Sequence, residues 1–148
     1  MTIVRKLIDD KTETRIYTVP SAATVFDALQ VMCEGNTGAV LVTENEKFVG
    51  IFTERDYARD GEVKGRSARD TIVSDVMTKQ MVLIKPETTL EECVELMGRY
   101  HVRHLPVLEK DRVVGIVSIR RLAEALLEQK QGTIFELENY ILGTGYGE

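Results

Sequence analysis

Apolar residues follow two periods along this chain, and the same succession occurs twice. Short β-rich runs at Ile16–Val19 and Val82–Ile84 stop at Pro20 and Pro86, residues that cannot donate to a central ladder. Helical patterns come next, each opened by a hydroxyl residue three positions ahead of an acid: Thr24-x-x-Asp27 and Thr89-x-x-Glu92. In such a capping box the hydroxyl accepts an orphan backbone N–H and the acid accepts another in return. Leu90, Cys93, Val94 and Met97 form one stripe on the second helix, which predicts burial on one side. The first helix carries Val25, Phe26, Ala28, Leu29, Val31, Met32 and Cys33, leaving few polar directions. It is expected to be covered on two sides, by the sister repeat together with a second subunit or by another partner.

Two strand pairs follow the helices. Ala39–Val42 turns through 44–47 into Phe48–Phe52, and Leu105–Leu108 turns through 109–111 into Val113–Val117. The short polar turns predict hairpins, and the apolar strands predict burial on both faces. Closing helices are expected over Glu54–Arg59 and Ile119–Gln129, with a polar, glycine-punctuated linker over Asp60–Ser67. A last helix is expected from Thr133-x-x-Glu136, with Ile134, Leu137 and Ile141 on one face for docking on the body or across a dimer. The tail Gly143–Gly147 has no strand before it and no helix after it, so it does not qualify as a phosphate loop.

The recurrence is an internal duplication. Shifting the chain by 65 positions leaves eight of the 33 residues from Thr24 to Asp56 identical, among them Val49-Gly50-Ile51 on Val114-Gly115-Ile116. Thr2-Ile3-Val4 resembles Thr71-Ile72-Val73 at a slightly different offset. The division expected from chain order is a first repeat with an N-terminal helix and linker over 1–70, a second over 71–130, and a docking helix and tail over 131–148.

Composition narrows the function. The chain has 148 residues, 43% apolar and 29% charged, enough for a buried core without staples. Three prolines and eleven unperiodic glycines exclude disorder and collagen-like structure. A net charge of -5 argues against gripping a phosphate backbone, so no nucleic-acid partner is expected. Charge interrupts the first apolar run at Arg5 and Lys6, which points to no signal segment, no membrane span and a cytoplasmic chain. Cys33 and Cys93, each within an apolar helical pattern, are expected to be buried free thiols.

The candidate chemistry lies after each central glycine. Gly50-Ile51-Phe52-Thr53-Glu54-Arg55-Asp56 and Gly115-Ile116-Val117-Ser118-Ile119-Arg120-Arg121 both end a strand and open a helix. Thr53-x-x-Asp56 is itself a capping box, and Ser118 is a plausible N-cap. In the second copy, Arg120 and Arg121 place positive charge where the helix dipole is already positive, at roughly 0.3 to 1 kcal/mol each unless an anion compensates. A bound phosphate would compensate, through helix N–H groups and guanidinium forks. Asp56 is suited to accepting hydrogen bonds from a sugar diol. A second basic cluster, His101-Val102-Arg103-His104, enters the second hairpin, whereas the first repeat has neutral Asn36-Thr37-Gly38-Ala39 there. No cysteine or acid lies at ligand spacing from the histidines, so no metal is expected. No nucleophile pairs with a base and no carboxylate dyad is placed by spacing, which argues against an enzyme.

The duplicated Gly-h-h-[Thr/Ser]-x-x-Asp ending, the strand entry Arg103-His104-Leu105-Pro106-Val107 and the connector Ser74-Asp75-Val76-Met77-Thr78 together resemble a cystathionine-β-synthase (CBS) domain pair, or Bateman module. The resemblance covers nearly the whole chain. It implies an α+β fold of two pseudo-symmetric βαββα repeats facing a central cleft, and a homodimer in which four repeats form a disc. It also implies an adenine-nucleotide ligand, AMP first, then ATP or ADP, NAD or S-adenosylmethionine. Carried over by position, Asp56 would hold the ribose and Thr53 would lie near the phosphate, with Arg103 and His104 approaching the phosphates from the other repeat. Thr18, Val19, Pro20, Ala22 and Val40 would form the adenine wall through backbone hydrogen bonds and apolar contact. Ser118 occupies the hydroxyl position of the second copy. Arg121 stands where that copy's aspartate is expected, so Arg120 and Arg121 would serve the phosphates of the ligand held by Asp56, and one strong site per chain is expected. The implied function is a stand-alone regulatory sensor acting on an unidentified partner; the alternative is a non-sensing assembly module whose nucleotide site is vestigial.

Overall fold

A computed structural model of the chain describes residues 2–9 and 15–141. Its backbone divides into two compact units, Arg15–Val82 and a second made of Met1–Thr14 with Leu83–Glu148. This partition differs from the boundary at 70/71 expected from chain order. The N-terminal helix belongs with the second repeat, and residues 71–82 belong with the first.

In the first unit, strand β1 (Thr18–Pro20) runs parallel to β2 (Ala39–Glu44), which pairs antiparallel with β3 (Lys47–Thr53). Pro20 closes the short strand β1 at the sheet edge, where a missing N–H does least harm. Helix α2 (Val25–Gly35) crosses from β1 to β2. Its Val25, Ala28 and Met32 join Val19, Val40, Val42, Phe52, Val73 and Val76 in one core. Thr24 and Asp27 form the expected capping box. Cys33 is exposed rather than buried, because the stripe facing the core runs through 25, 28 and 32. The second side of α2 is closed in part by the chain's own connector. Thr71 and Ala68 carbonyls accept from the Val25 and Phe26 amides, and the Arg69 guanidinium lies 3.8 Å over the Phe26 ring.

The closing helix of this repeat begins as expected at α3 (Glu54–Asp56) but continues as a π-helical stretch over Tyr57–Glu62, into the segment read as linker. Gly61 is buried there, and a Cβ on it would sit 3.2 Å from the Tyr57 ring, so the missing side chain leaves the ring its place. A 3-10 turn at Val73–Asp75 then places Val73 and Val76 in the core.

In the second unit, β4 (His104–Glu109) and β5 (Arg112–Ser118) form the hairpin. The run Val82–Ile84 does not become a strand. It is reduced to one parallel bridge, Ile84 with Val107. Helix α4 (Leu90–Tyr100) has its capping box at Thr89 and Glu92 and buries Leu90, Cys93 and Met97, whereas Val94 remains 47% exposed. Burial raises the Cys93 thiol to about 11, consistent with an inert core position. Helix α1 (Val4–Asp9) buries Val4, Leu7 and Ile8, and Arg5 bonds Glu109 at 2.6 Å and Glu87 at 3.2 Å. Helix α5 runs unbroken from Ile119 to Ile141, so the closing and last helices of the sequence reading are one element, and Gly132 does not end it. The side chains of Ile134, Leu137 and Ile141, and the tail 143–147, lie outside the described residues.

The duplication extends to hydrogen-bond register. Val40 faces Phe52 as Leu105 faces Val117, and a bulge falls between Val42 and Thr43 as it does between Val107 and Leu108. Both hairpins turn through two residues of positive φ, Asn45 and Glu46 in one and Lys110 and Asp111 in the other. This pattern is that of type I′ turns, whose twist matches the strands but which prefer Asn-Gly. Glu46 at φ 66° therefore carries left-handed strain that glycine would relieve. We expect Glu46→Gly to stabilise the chain by about 0.5–1 kcal/mol after the entropy cost of glycine, read as a rise of a few degrees in Tm.

Candidate functional site

The strand-to-helix junctions are built by local chemistry. Thr53 ends β3 in extended backbone and its Oγ1 accepts the Asp56 amide at 3.1 Å. The Thr53 amide donates in return to Asp56 Oδ2 at 3.0 Å. Oδ1 of the same carboxylate accepts from the Thr78 hydroxyl at 3.1 Å. Asp56 is half-buried, and burial raises its carboxyl above the ordinary aspartate range, opposed by the hydrogen bonds from Thr53 and Thr78. Thr78 is the contributor that sequence reasoning missed. It was part of the connector motif, but nothing in the sequence links it to a residue 22 positions away.

Asp56 and Thr53 lie at one end of the first unit's sheet, where Ala39 faces Thr53 in the last rung of the β2–β3 ladder. Thr18 pairs with Leu41, two rungs further in. Pro20 pairs with Thr43, four rungs away or roughly 13 Å along the strand, and Ala22 follows in an exposed turn. Thr18 thus lies across β2 from the Thr53 end of the sheet, while Pro20 and Ala22 lie toward its other end. Val19 and Val40 are 3% and 0% exposed, with side chains in the core. The apolar contact expected of them is therefore already used, because this sheet face packs on α2. The Val19 carbonyl also faces β2, where it accepts from the Thr43 hydroxyl at 3.4 Å. Leu41 N–H bonds the Tyr17 carbonyl and Ser21 N–H bonds the Thr43 carbonyl. By the alternation of a parallel ladder, the Thr18 N–H and C=O turn away from β2.

In the second unit, Ser118 Oγ caps α5 by accepting the Arg121 amide at 3.1 Å. Arg103 is exposed and its carbonyl accepts from the Ile119 amide at 2.8 Å, which holds the strand entry against the start of α5. His104 faces Ser118 across the hairpin. Burial, reinforced by the charge of Arg103, lowers its imidazole to about 4. It is neutral at physiological pH, so this part of the basic cluster supplies a polar ring and not a charge. His101, the other histidine, caps α4 in left-handed backbone at φ 53°, matching Asn36 after α2.

Both arginines have neighbours within the second unit. Arg120 is 67% exposed and pairs with Glu124 one turn along at 3.7 Å. Arg121 lines a cavity with Thr2, Lys6, Leu7, Ala125, Glu128 and Gln129, along the flank of α5 beside α1. Among the described residues no group of three or more His, Cys, Asp or Glu could hold a metal ion. No described helix is long and apolar enough to cross a membrane.

The His104 shift has a definite sign. Above about pH 6.5 the ring is neutral in both the folded and the unfolded chain. Between 6.5 and about 4 the unfolded chain takes up a proton that the folded chain refuses, so stability falls as pH falls through that window. The His104 ring protons should titrate by NMR with a midpoint near 4, and His104→Gln should flatten the acid-side loss of Tm.

Comparison with known proteins agrees with this architecture. A mitochondrial CBS domain-containing protein of Arabidopsis thaliana is 37% identical over 128 residues, 83% of this chain, which spans 62% of the plant protein's length. A CBS domain-containing protein of Bacillus subtilis is 34% identical over 116 residues, covering 78% of this chain and 82% of that one. The solved structure of a protein with CBS domains from Burkholderia ambifaria superposes with a TM-score of 0.81 at 36% identity, over 86% of this chain and 95% of that one. The CBS domain family matches twice, over residues 7–60 and 73–128. With two α+β repeats sharing one register, paired capping boxes and these two matches, the chain belongs to the CBS domain family and carries a pair of its regulatory, ligand-binding repeats.

Proposed function

We propose that this chain is a regulatory sensor of adenine nucleotides, with AMP the first candidate and ATP, ADP, NAD and S-adenosylmethionine behind it. The observation that carries this reading is the state of the Asp56 carboxylate. An ionised carboxylate offers about four lone-pair sites. Three are engaged, by the Thr53 amide, the Thr53 hydroxyl and the Thr78 hydroxyl, leaving acceptor capacity for one further donor in a half-buried position. A ribose hydroxyl supplies such a donor.

The edge of β1 supports the base end of the reading. Thr18 turns one donor and one acceptor outward, the pair that a purine edge can meet without side-chain help. β1 and β3 are two strand spacings apart, roughly 10 Å, a span comparable with an adenosine. Val19 and Pro20 serve here through backbone geometry, and Ala22 through the exposed turn. Val40 serves as the packed floor behind them. Arg103, with its exposed guanidinium, is the residue of the second unit proposed to meet phosphate, aided by the neutral His104 ring and the Ser118 junction. Arg120 and Arg121 are secondary in this reading, given Glu124 and the flank cavity.

Sensing then follows from linkage. A nucleotide that binds one conformation better than another shifts the chain toward it, and a regulated partner reads the changed surface. A homodimer is the proposed working form.

Thermal-shift titration tests the reading. At a nucleotide concentration of about 100 times Kd, stabilisation should approach 2.7 kcal/mol, a rise of several degrees. Asp56→Ala should lower the starting Tm through loss of the cap and abolish the nucleotide-induced rise measured from its own baseline. No rise in wild-type Tm with millimolar AMP, ATP, NAD or S-adenosylmethionine would rule the sensor out.

A further inference from the structure

We propose that Thr78 is a positioning residue for Asp56, fixing the orientation of the carboxylate that receives the ligand and tying that carboxylate to the connector after the first repeat. The functional meaning rests on the ribose reading above, whereas the geometry stands without it. The Thr78 hydroxyl donates to Asp56 Oδ1 at 3.1 Å while the Thr53 amide holds Oδ2 at 3.0 Å. Each oxygen is thus held from a different element, so the carboxylate plane cannot turn without breaking one bond.

Thr78 is itself held in place. Its N–H donates to the Ile51 carbonyl at 2.8 Å, and its carbonyl accepts the Ile51 amide at 2.9 Å. This approach requires Gly50, where a Cβ would sit 2.7 Å from Met77 Sδ and 2.8 Å from the Thr78 carbonyl oxygen. Just upstream, Val73 and Val76 are buried in the first unit's core, so the connector enters this position from a packed anchor. The central glycine of the Gly-h-h-Thr-x-x-Asp motif therefore has a second purpose. It admits the connector, whose threonine orients the motif's last residue. In the second repeat the corresponding position is Arg121, so the device exists only where there is a carboxylate to orient.

The test uses the full chain with Thr78→Val, which keeps the branched shape and the backbone bonds but removes the hydroxyl, and Thr78→Ser, which restores it. The groups acting on Asp56 are the Thr53 amide and hydroxyl, the Thr78 hydroxyl and the charge of Asp60. Loss of the Thr78 donor should raise the Asp56 titration midpoint, followed by carboxyl carbon NMR, and weaken AMP binding about 3- to 10-fold by calorimetry. Thr78→Ser should bring both back toward wild type. Gly50→Ala, which crowds the Thr78 carbonyl, should raise the midpoint in the same direction. An unmoved midpoint in Thr78→Val overturns the proposal whatever the nucleotide result. A raised midpoint with unchanged AMP affinity overturns it as well. A raised midpoint in a chain whose wild type binds no nucleotide upholds the hold of Thr78 on Asp56 and overturns the ribose reading alone.

Discussion

A helix that starts against a sheet leaves its first backbone amides without partners, and both long crossover helices of this chain solve that problem with borrowed backbone. In the first unit, carbonyls of Thr71 and Ala68 accept from Val25 and Phe26, and the Val73 amide returns a bond to Ala23. In the second unit the Thr2 carbonyl accepts from Leu90, and the Val4 amide returns a bond to Thr88. The capping boxes at Thr24 and Thr89 satisfy the Asp27 and Glu92 amides. The segments that do this are the two that resemble each other in sequence, Thr71-Ile72-Val73 and Thr2-Ile3-Val4. Each repeat is therefore completed by a stretch lying outside its own run of helix and hairpin, and the compact units cut across chain order for that reason.

The same economy shapes the candidate site. The hydroxyl and acid that cap α3 are those proposed to receive a ligand, so the site is preorganised by bonds the fold needs in any case. Asp56 remains half-buried, with its ionisation opposed by burial and favoured by donors from Thr53 and Thr78. That balance keeps a carboxylate with unfilled acceptor capacity at the end of a sheet. The second repeat uses the same junction for a different end. Ser118 still caps its helix, but the following arginines meet Glu124 in one case and line a flank cavity beside α1 in the other. The two copies share the scaffold and differ in charge, at Asp56 against Arg121 and at the neutral and basic strand entries.

Much of this was legible in residue order because its causes are local. Capping boxes, the two hairpins, the internal duplication and the family resemblance all rest on side chains within a few positions of one another or on periodicity. The capping pair Thr53 and Asp56 was legible for the same reason. What could not be read there depends on which distant group arrives at a given surface. Thr78 reaches Asp56 because a glycine in β3 admits the connector, Cys33 faces outward because the connector and core claim the other sides of α2, and Val19 and Val40 are spent on packing. The protonation of His104 belongs with these. An imidazole beside an arginine in sequence reads as basic, yet desolvation sets its charge, and desolvation is a property of surroundings assembled from the whole unit.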